Sequence, residues 1–173
     1  MKKLLLLIFI VSTFIVDSQA QNEADKSFVV FLVRHAEKVD NSRDPKLSEA
    51  GKQRAVELAE TLKSAEIDFI HSTNFVRTRA TVLPFAETLN KEVLIYDYAN
   101  LENFAKSIKK KGGRHLVVGH SNTTPSLVKL LGGDAGAPIV EKNEYDRLYV
   151  LSFNENGSVS TVLLRYGKKF ENE

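Results

Sequence analysis

The chain has 173 residues, 43% of them hydrophobic and 27% charged, with a formal net charge of +2, which is the make-up of one ordinary globular domain large enough to bury a core. That balance supplies no basic surface for nucleic acid, and no basic tract with interleaved aromatics occurs. The lack of cysteine excludes disulfides, zinc thiolate sites, a thiol nucleophile and a lipidated N-terminal cysteine.

Met1-Lys2-Lys3 is a basic stretch, and Leu4 to Val16 is an apolar run too short for a typical membrane span. Ser18-Gln19-Ala20 places small residues where signal peptidase cuts. A signal peptide over residues 1–20 and a polar linker over 21–27 are therefore expected, ahead of a single domain over 28–173. Cleavage removes two lysines and one aspartate, leaving a net charge of +1. The product is expected to be exported, periplasmic or secreted, with no stable membrane insertion.

From Phe28 onward the pattern alternates strand and helix. Phe28 to Val33 reads as a buried strand. Ser48 caps a helix whose apolar stripe is Ala55, Leu58, Ala59 and Leu62, and Ile67 to Ile70 is a second strand. A helix from Val76 to Asn90 contains Pro84, which is expected to kink or restart it. Val93 to Tyr96 is the third strand. Leu101, Phe104, Ala105 and Ile108 repeat at helical spacing up to Gly112-Gly113. Leu116 to Val118 is the fourth strand, and the helix after it carries Pro125 in its first turn and stops at Gly132-Gly133. Arg147 to Phe153 and Ser158 to Leu164, joined by Asn154-Glu155-Asn156-Gly157, read as a hairpin. The expected fold is an α/β three-layer sandwich: a mostly parallel central sheet with right-handed crossovers, helices on both faces and an antiparallel edge.

Open α/β sheets bind ligands beyond the C-terminal ends of their strands. The first strand delivers Arg34 and His35 there, the fourth delivers His120, and the segment after the second carries Arg77. Two arginines and two histidines at one sheet edge point to a phosphate site. No two histidines stand at the helical spacing of a metal-ligand pair, and the arginines would repel a cation. Gly119-His120-Ser121-Asn122 is not the Gly-x-Ser-x-Gly elbow of a serine hydrolase.

Four blocks occur in one order: Leu32-Val33-Arg34-His35, Leu47-Ser48-Glu49-Ala50-Gly51-Lys52-Gln53-Arg54-Ala55, Ser72 to Thr81 around Arg77, and Val117-Val118-Gly119-His120. In these the chain resembles the histidine phosphatase, or phosphoglycerate mutase-like, superfamily, and in its compactness the short branch that includes phosphohistidine phosphatases. The resemblance implies that His35 is the nucleophile. Neutral imidazole can attack phosphorus, and the guanidinium forks of Arg34 and Arg77 suit a phosphoryl group. His120, before a helix N-terminus, would stabilise the transferring charge.

Asn41 stands where many relatives place a phosphate-contacting Asn, and is equally a turn residue. Ser121 is a second candidate phosphate donor, with helix capping the competing role for Ser121 or Asn122. His71 is expected at the cleft rim, and His115 at the start of a strand. The chain departs from the family pattern at the general acid, because Asn103 stands where many relatives have Glu. Asp97, at the end of the third strand, is the first candidate acid, Glu37 the second and Asp146 a distant third.

The implied activity is a cofactor-free, metal-independent phosphatase of histidine acid phosphatase type. Its substrate would be a small phosphorylated compound or a phosphoprotein, with no nucleic-acid partner. The alternatives are a mutase-like phosphotransferase and a non-catalytic module that binds a phosphorylated ligand.

Overall fold

The computed structural model describes residues 27–170. The expected signal peptide lies outside them, as does the linker apart from Ser27. Ten elements follow in order: β1 (Phe28–Arg34), α1 (Glu49–Leu62), β2 (Phe69–Ser72), α2 (Val76–Leu89), β3 (Val93–Ile95), α3 (Leu101–Lys111), β4 (Arg114–Gly119), α4 (Thr123–Leu131), β5 (Arg147–Phe153) and β6 (Val159–Arg165). Among the described residues no helix is long and apolar enough to cross a membrane.

One six-stranded sheet runs in the order β3-β2-β4-β1-β5-β6. β1 pairs in parallel with β4, and β2 with both β4 and β3, whereas β5 runs antiparallel to β1 and β6 antiparallel to β5. The expected α/β architecture with an antiparallel edge is therefore present. Successive strand residues point to opposite faces, so a strand covered on both sides must be apolar throughout. β1 meets that demand: Val30 and Leu32 enter the core beneath α3 and α4, while Val33 enters the core beneath α1 and α2.

The helices start and stop for local reasons. Ser48 accepts the Gly51 N–H at 3.1 Å, and Asn90 closes α2 in the left-handed region. α2 continues past Pro84 as one helix, so of the expected kink or restart the restart does not occur. An interior proline costs about 3 kcal/mol, and the burial of Val82, Phe85 and Ala86 around it offsets that loss. The second strand begins at Phe69 rather than Ile67, although Ile67 is still buried just ahead of it.

Two glycines allow the close approaches that shape the functional edge. A Cβ on Gly51 would collide with the Glu37 carbonyl, so only glycine lets α1 pack against the chain leaving β1. One on Gly119 would stand 2.9 Å from the hydroxyls of both Thr123 and Thr124. The sheet order leaves β1 and β4 side by side where the connections diverge, since α1 leads away to one side and α4 to the other. This switch point places His35 and His120 next to each other.

Candidate active site

His35 follows the last residue of β1, and its N–H donates to the Gly119 carbonyl at 2.9 Å, tying the ends of β1 and β4 together. The next residue, Ala36, donates its N–H to Thr81 Oγ1 of α2 at 3.0 Å. The imidazole is only 3% exposed. Its Nδ1 lies 2.9 Å from the Ala36 carbonyl. A carbonyl only accepts, so Nδ1 holds the ring proton and Nε2 keeps its lone pair. Burial, with the charges of Arg34 and Arg77 and the neighbouring His120, pushes the pKa of His35 down to about 3. The ring is a neutral base of one defined tautomer.

His120 crosses His35 edge-to-face, with ring centroids 5.5 Å apart. Its Nδ1 is 3.3 Å from Arg77 Nη2, which only donates, so Nδ1 accepts and Nε2 donates to Thr73 Oγ1 at 3.0 Å. Thr73 passes the chain on to Thr78 Oγ1 at 3.0 Å, and Thr78 ends it on the Thr73 carbonyl at 2.8 Å. Burial and the Arg77 charge lower the pKa of His120 to about 4. Arg77 lies over the Phe75 ring at 4.5 Å and reaches Asp44 Oδ1 at 3.4 Å with Nη1. Asp44 also accepts the Val76 N–H at 2.9 Å, capping α2 from a distant loop.

The long segment between α4 and β5 closes the site from the other side. Arg34, 1% exposed, is held by it: Nη1 donates to the Glu144 carbonyl at 3.0 Å and Nη2 to the Glu141 carbonyl at 2.9 Å. The Tyr145 ring lies 4.0 Å from the guanidinium carbon. Arg34 Nε has no protein partner and is buried. The Glu141 carboxylate meets Arg34 Nη2 at 3.0 Å and Lys38 Nζ at 4.0 Å. His35, Lys38, Phe75, Arg77, His120 and Glu141 line a cleft of about 450 Å³, which Tyr98 and Ser121 to Thr123 complete.

A neutral imidazole with a free lone pair, beside arginines and a second histidine, is equipped to accept a phosphoryl group. The family model described as histidine phosphatase superfamily (branch 1) matches residues 30–104. Phosphoserine phosphatase 1 of Hydrogenobacter thermophilus is 41% identical over 75 residues, which are 39% of this chain and 36% of that protein. The match thus spans about a third of the curated relative. The protein histidine phosphatase SixA complexed with tungstate superposes with a TM-score of 0.62 at 18% identity, over 79% of this chain and 96% of its own. Phosphoserine phosphatase from Entamoeba histolytica, in complex with 3-phosphoglyceric acid, does so with a TM-score of 0.57 at 16% identity, over 82% and 97%. These likenesses carry the fold.

His35, Arg77, His120 and Ser121 line one cleft, with Arg34 buried against it. The other candidates fall elsewhere. Asp97 is exposed, and its Oδ1 accepts the Ala99 N–H at 2.9 Å in a local turn. Glu37 is clamped by Arg54, whose Nε and Nη2 reach its carboxylate at 2.8 to 3.0 Å. Asp146 is buried against Arg165 and the Phe170 N–H. Asn41 sits in an exposed bend and is not among the residues that line the cleft. Asn122 caps α4 through the Thr123 N–H at 2.9 Å, as one of the Ser121-Asn122 pair was expected to do.

His71 is not at the cleft rim. It is buried, with Nε2 3.0 Å from His115 Nδ1, while His115 Nε2 reaches the Gly112 carbonyl at 2.7 Å. Among the described residues no group of three or more His, Cys, Asp or Glu stands close enough to hold a metal ion. Sequence reasoning missed Thr73, Phe75, Tyr98, Tyr145 and Glu141. Thr73, Phe75 and Tyr98 follow the ends of β2 and β3, so the rule that selected His35 and His120 could have found them. Glu141 and Tyr145 lie in a segment without periodicity, which offered no such signal.

Proposed function

We propose that this protein is a phosphatase that releases phosphate from esters or other phosphoryl compounds through a phosphohistidine at His35. The observation that carries this reading is the setting of His35: it is buried, lines the cleft and holds its Nδ1 2.9 Å from the Ala36 carbonyl, which leaves Nε2 as the basic nitrogen. Arg77, with its planar fork, and the buried Nε–H of Arg34 bind the transferring phosphoryl oxygens. His120 is neutral in the free protein, and an arriving dianion favours its charged form. A proton taken up at Nδ1 turns that nitrogen from acceptor to donor. The α4 dipole adds to this stabilisation, although Thr123 N–H is already capped by Asn122 and Thr124 N–H donates to the His120 carbonyl.

Rapid-quench reaction with an aryl phosphate tests the reading. An acid-labile, base-stable phosphoryl label on His35 is expected, and none on His35→Ala. Steady phosphate release by His35→Ala would overturn it. We further propose export after cleavage behind Ala20, which intact-mass measurement on fractionated cells decides: a mass beginning at Gln21 supports it, and a membrane-bound chain that retains Met1 refutes it.

A further inference from the structure

A phosphatase acting on ordinary esters needs a proton for the departing oxygen, and none of the three carboxylates expected to supply it lines the cleft. Among the described residues the cleft has one carboxylate, that of Glu141. Its backbone is fixed, because Arg34 Nη2 holds its carbonyl and Arg34 Nη1 holds the Glu144 carbonyl three residues on. Glu144 in turn accepts the Val140 N–H at 2.8 Å and is clamped by Arg147 and Arg165. The side chain, by contrast, is 59% exposed and lines the cleft.

We propose that Glu141 is the proton donor and acceptor of this site; the inference rests on the phosphatase reading above. In the free protein its carboxylate sits on Arg34 and Lys38, cations that an incoming phosphoryl dianion also seeks. Substrate therefore competes with the carboxylate for those cations and displaces it from its ion pairs. In the first transfer the His35 Nε2 lone pair forms the N–P bond. The P–O bond to the leaving group breaks, and the Glu141 carboxyl proton passes to the departing oxygen. In the second, the Glu141 carboxylate takes a proton from water as its oxygen bonds to phosphorus. The N–P bond then breaks, its electron pair returns to Nε2, and inorganic phosphate leaves.

The test is kcat/KM of Glu141→Gln across monophosphates whose leaving groups run from acidic phenols to simple alcohols. An alkyl phosphate is expected to lose about 10² to 10⁴-fold, the worth of a general acid, while the most acidic aryl phosphate changes little. Glu141→Asp, which keeps a carboxyl, recovers part of the alkyl activity. An equal loss on all substrates would mean that Glu141 only holds Arg34, and no loss on alkyl phosphates would remove it from the chemistry; either result overturns the proposal. Absence of turnover by the wild-type protein on every substrate would instead be the failure of the phosphatase reading.

Discussion

Arg54 grips Glu37 in a forked ion pair: Nε donates to both carboxylate oxygens, at 3.0 and 2.9 Å, and Nη2 to Oε1 at 2.8 Å. The remaining Arg54 donors reach the carbonyls of Tyr166 and Lys168 at 2.8 Å each. One buried guanidinium thus joins α1, the chain leaving β1 and the C-terminal segment. Removing one partner of such a pair leaves the other desolvated. Arg54→Ala is expected to lower the unfolding free energy by about 3 kcal/mol, read by urea titration. Glu37→Gln should destabilise less, because its side chain is partly exposed, and should keep near wild-type kcat/KM on aryl and alkyl phosphates alike. A selective loss on alkyl phosphates would restore Glu37 as the acid.

Arg77→Lys keeps the charge but not the geometry. The planar fork reaches His120 and Asp44 together while stacking on Phe75, and a lysine ammonium on a flexible stem does not reproduce it. kcat/KM is expected to fall by about 10²-fold or more, with the thermal midpoint nearly unchanged. Wild-type turnover would direct attention to Arg79 or Arg43.

The buried histidines make the fold acid-labile. His35 and His71 have pKa values pushed down to about 3 and His120 to about 4 by burial, and His115 is lowered for the same reason. The unfolded chain titrates them near the ordinary 6.5 and so binds more protons below that pH. Their contribution to stability is complete above about pH 6.5 and drains away as the pH falls towards 3. Each histidine adds about 1.4 kcal/mol per pH unit to that slope. His71→Phe should reduce the slope of unfolding free energy between about pH 6 and pH 4 by that amount, and the His35 ring should stay neutral in an NMR titration to about pH 4. A His35 transition near 6.5 would contradict its buried, Nδ1-protonated state.

The groups proposed to hold the phosphoryl group are protein cations and imidazole. Turnover is therefore expected to survive a chelator, whereas tungstate and vanadate, which mimic a phosphoryl group, should inhibit competitively. Loss of activity in the chelator, with rescue by a divalent metal, would show that a cation supplies what Arg34, Arg77 and His120 are assigned here.

The amino-acid sequence by itself determined the layered fold and the core of the site. Period-2 and period-3.6 patterns are local signals, and a parallel strand buried on both faces has to be apolar along its length, as Val30 to Val33 shows. His35 and His120 were legible because strand C-termini at a switch point face the same cleft whatever the loops do. Which carboxylate shares that cleft was decided by the tertiary structure alone. Asp97 and Glu37 are near the site along the chain, yet one turns back on the Ala99 N–H and the other is taken by Arg54. Glu141 is more than a hundred residues from His35, and it reaches the cleft because Arg34 pins its segment there. Ion pairing and carbonyl capture depend on distances between parts of the chain that no local pattern encodes.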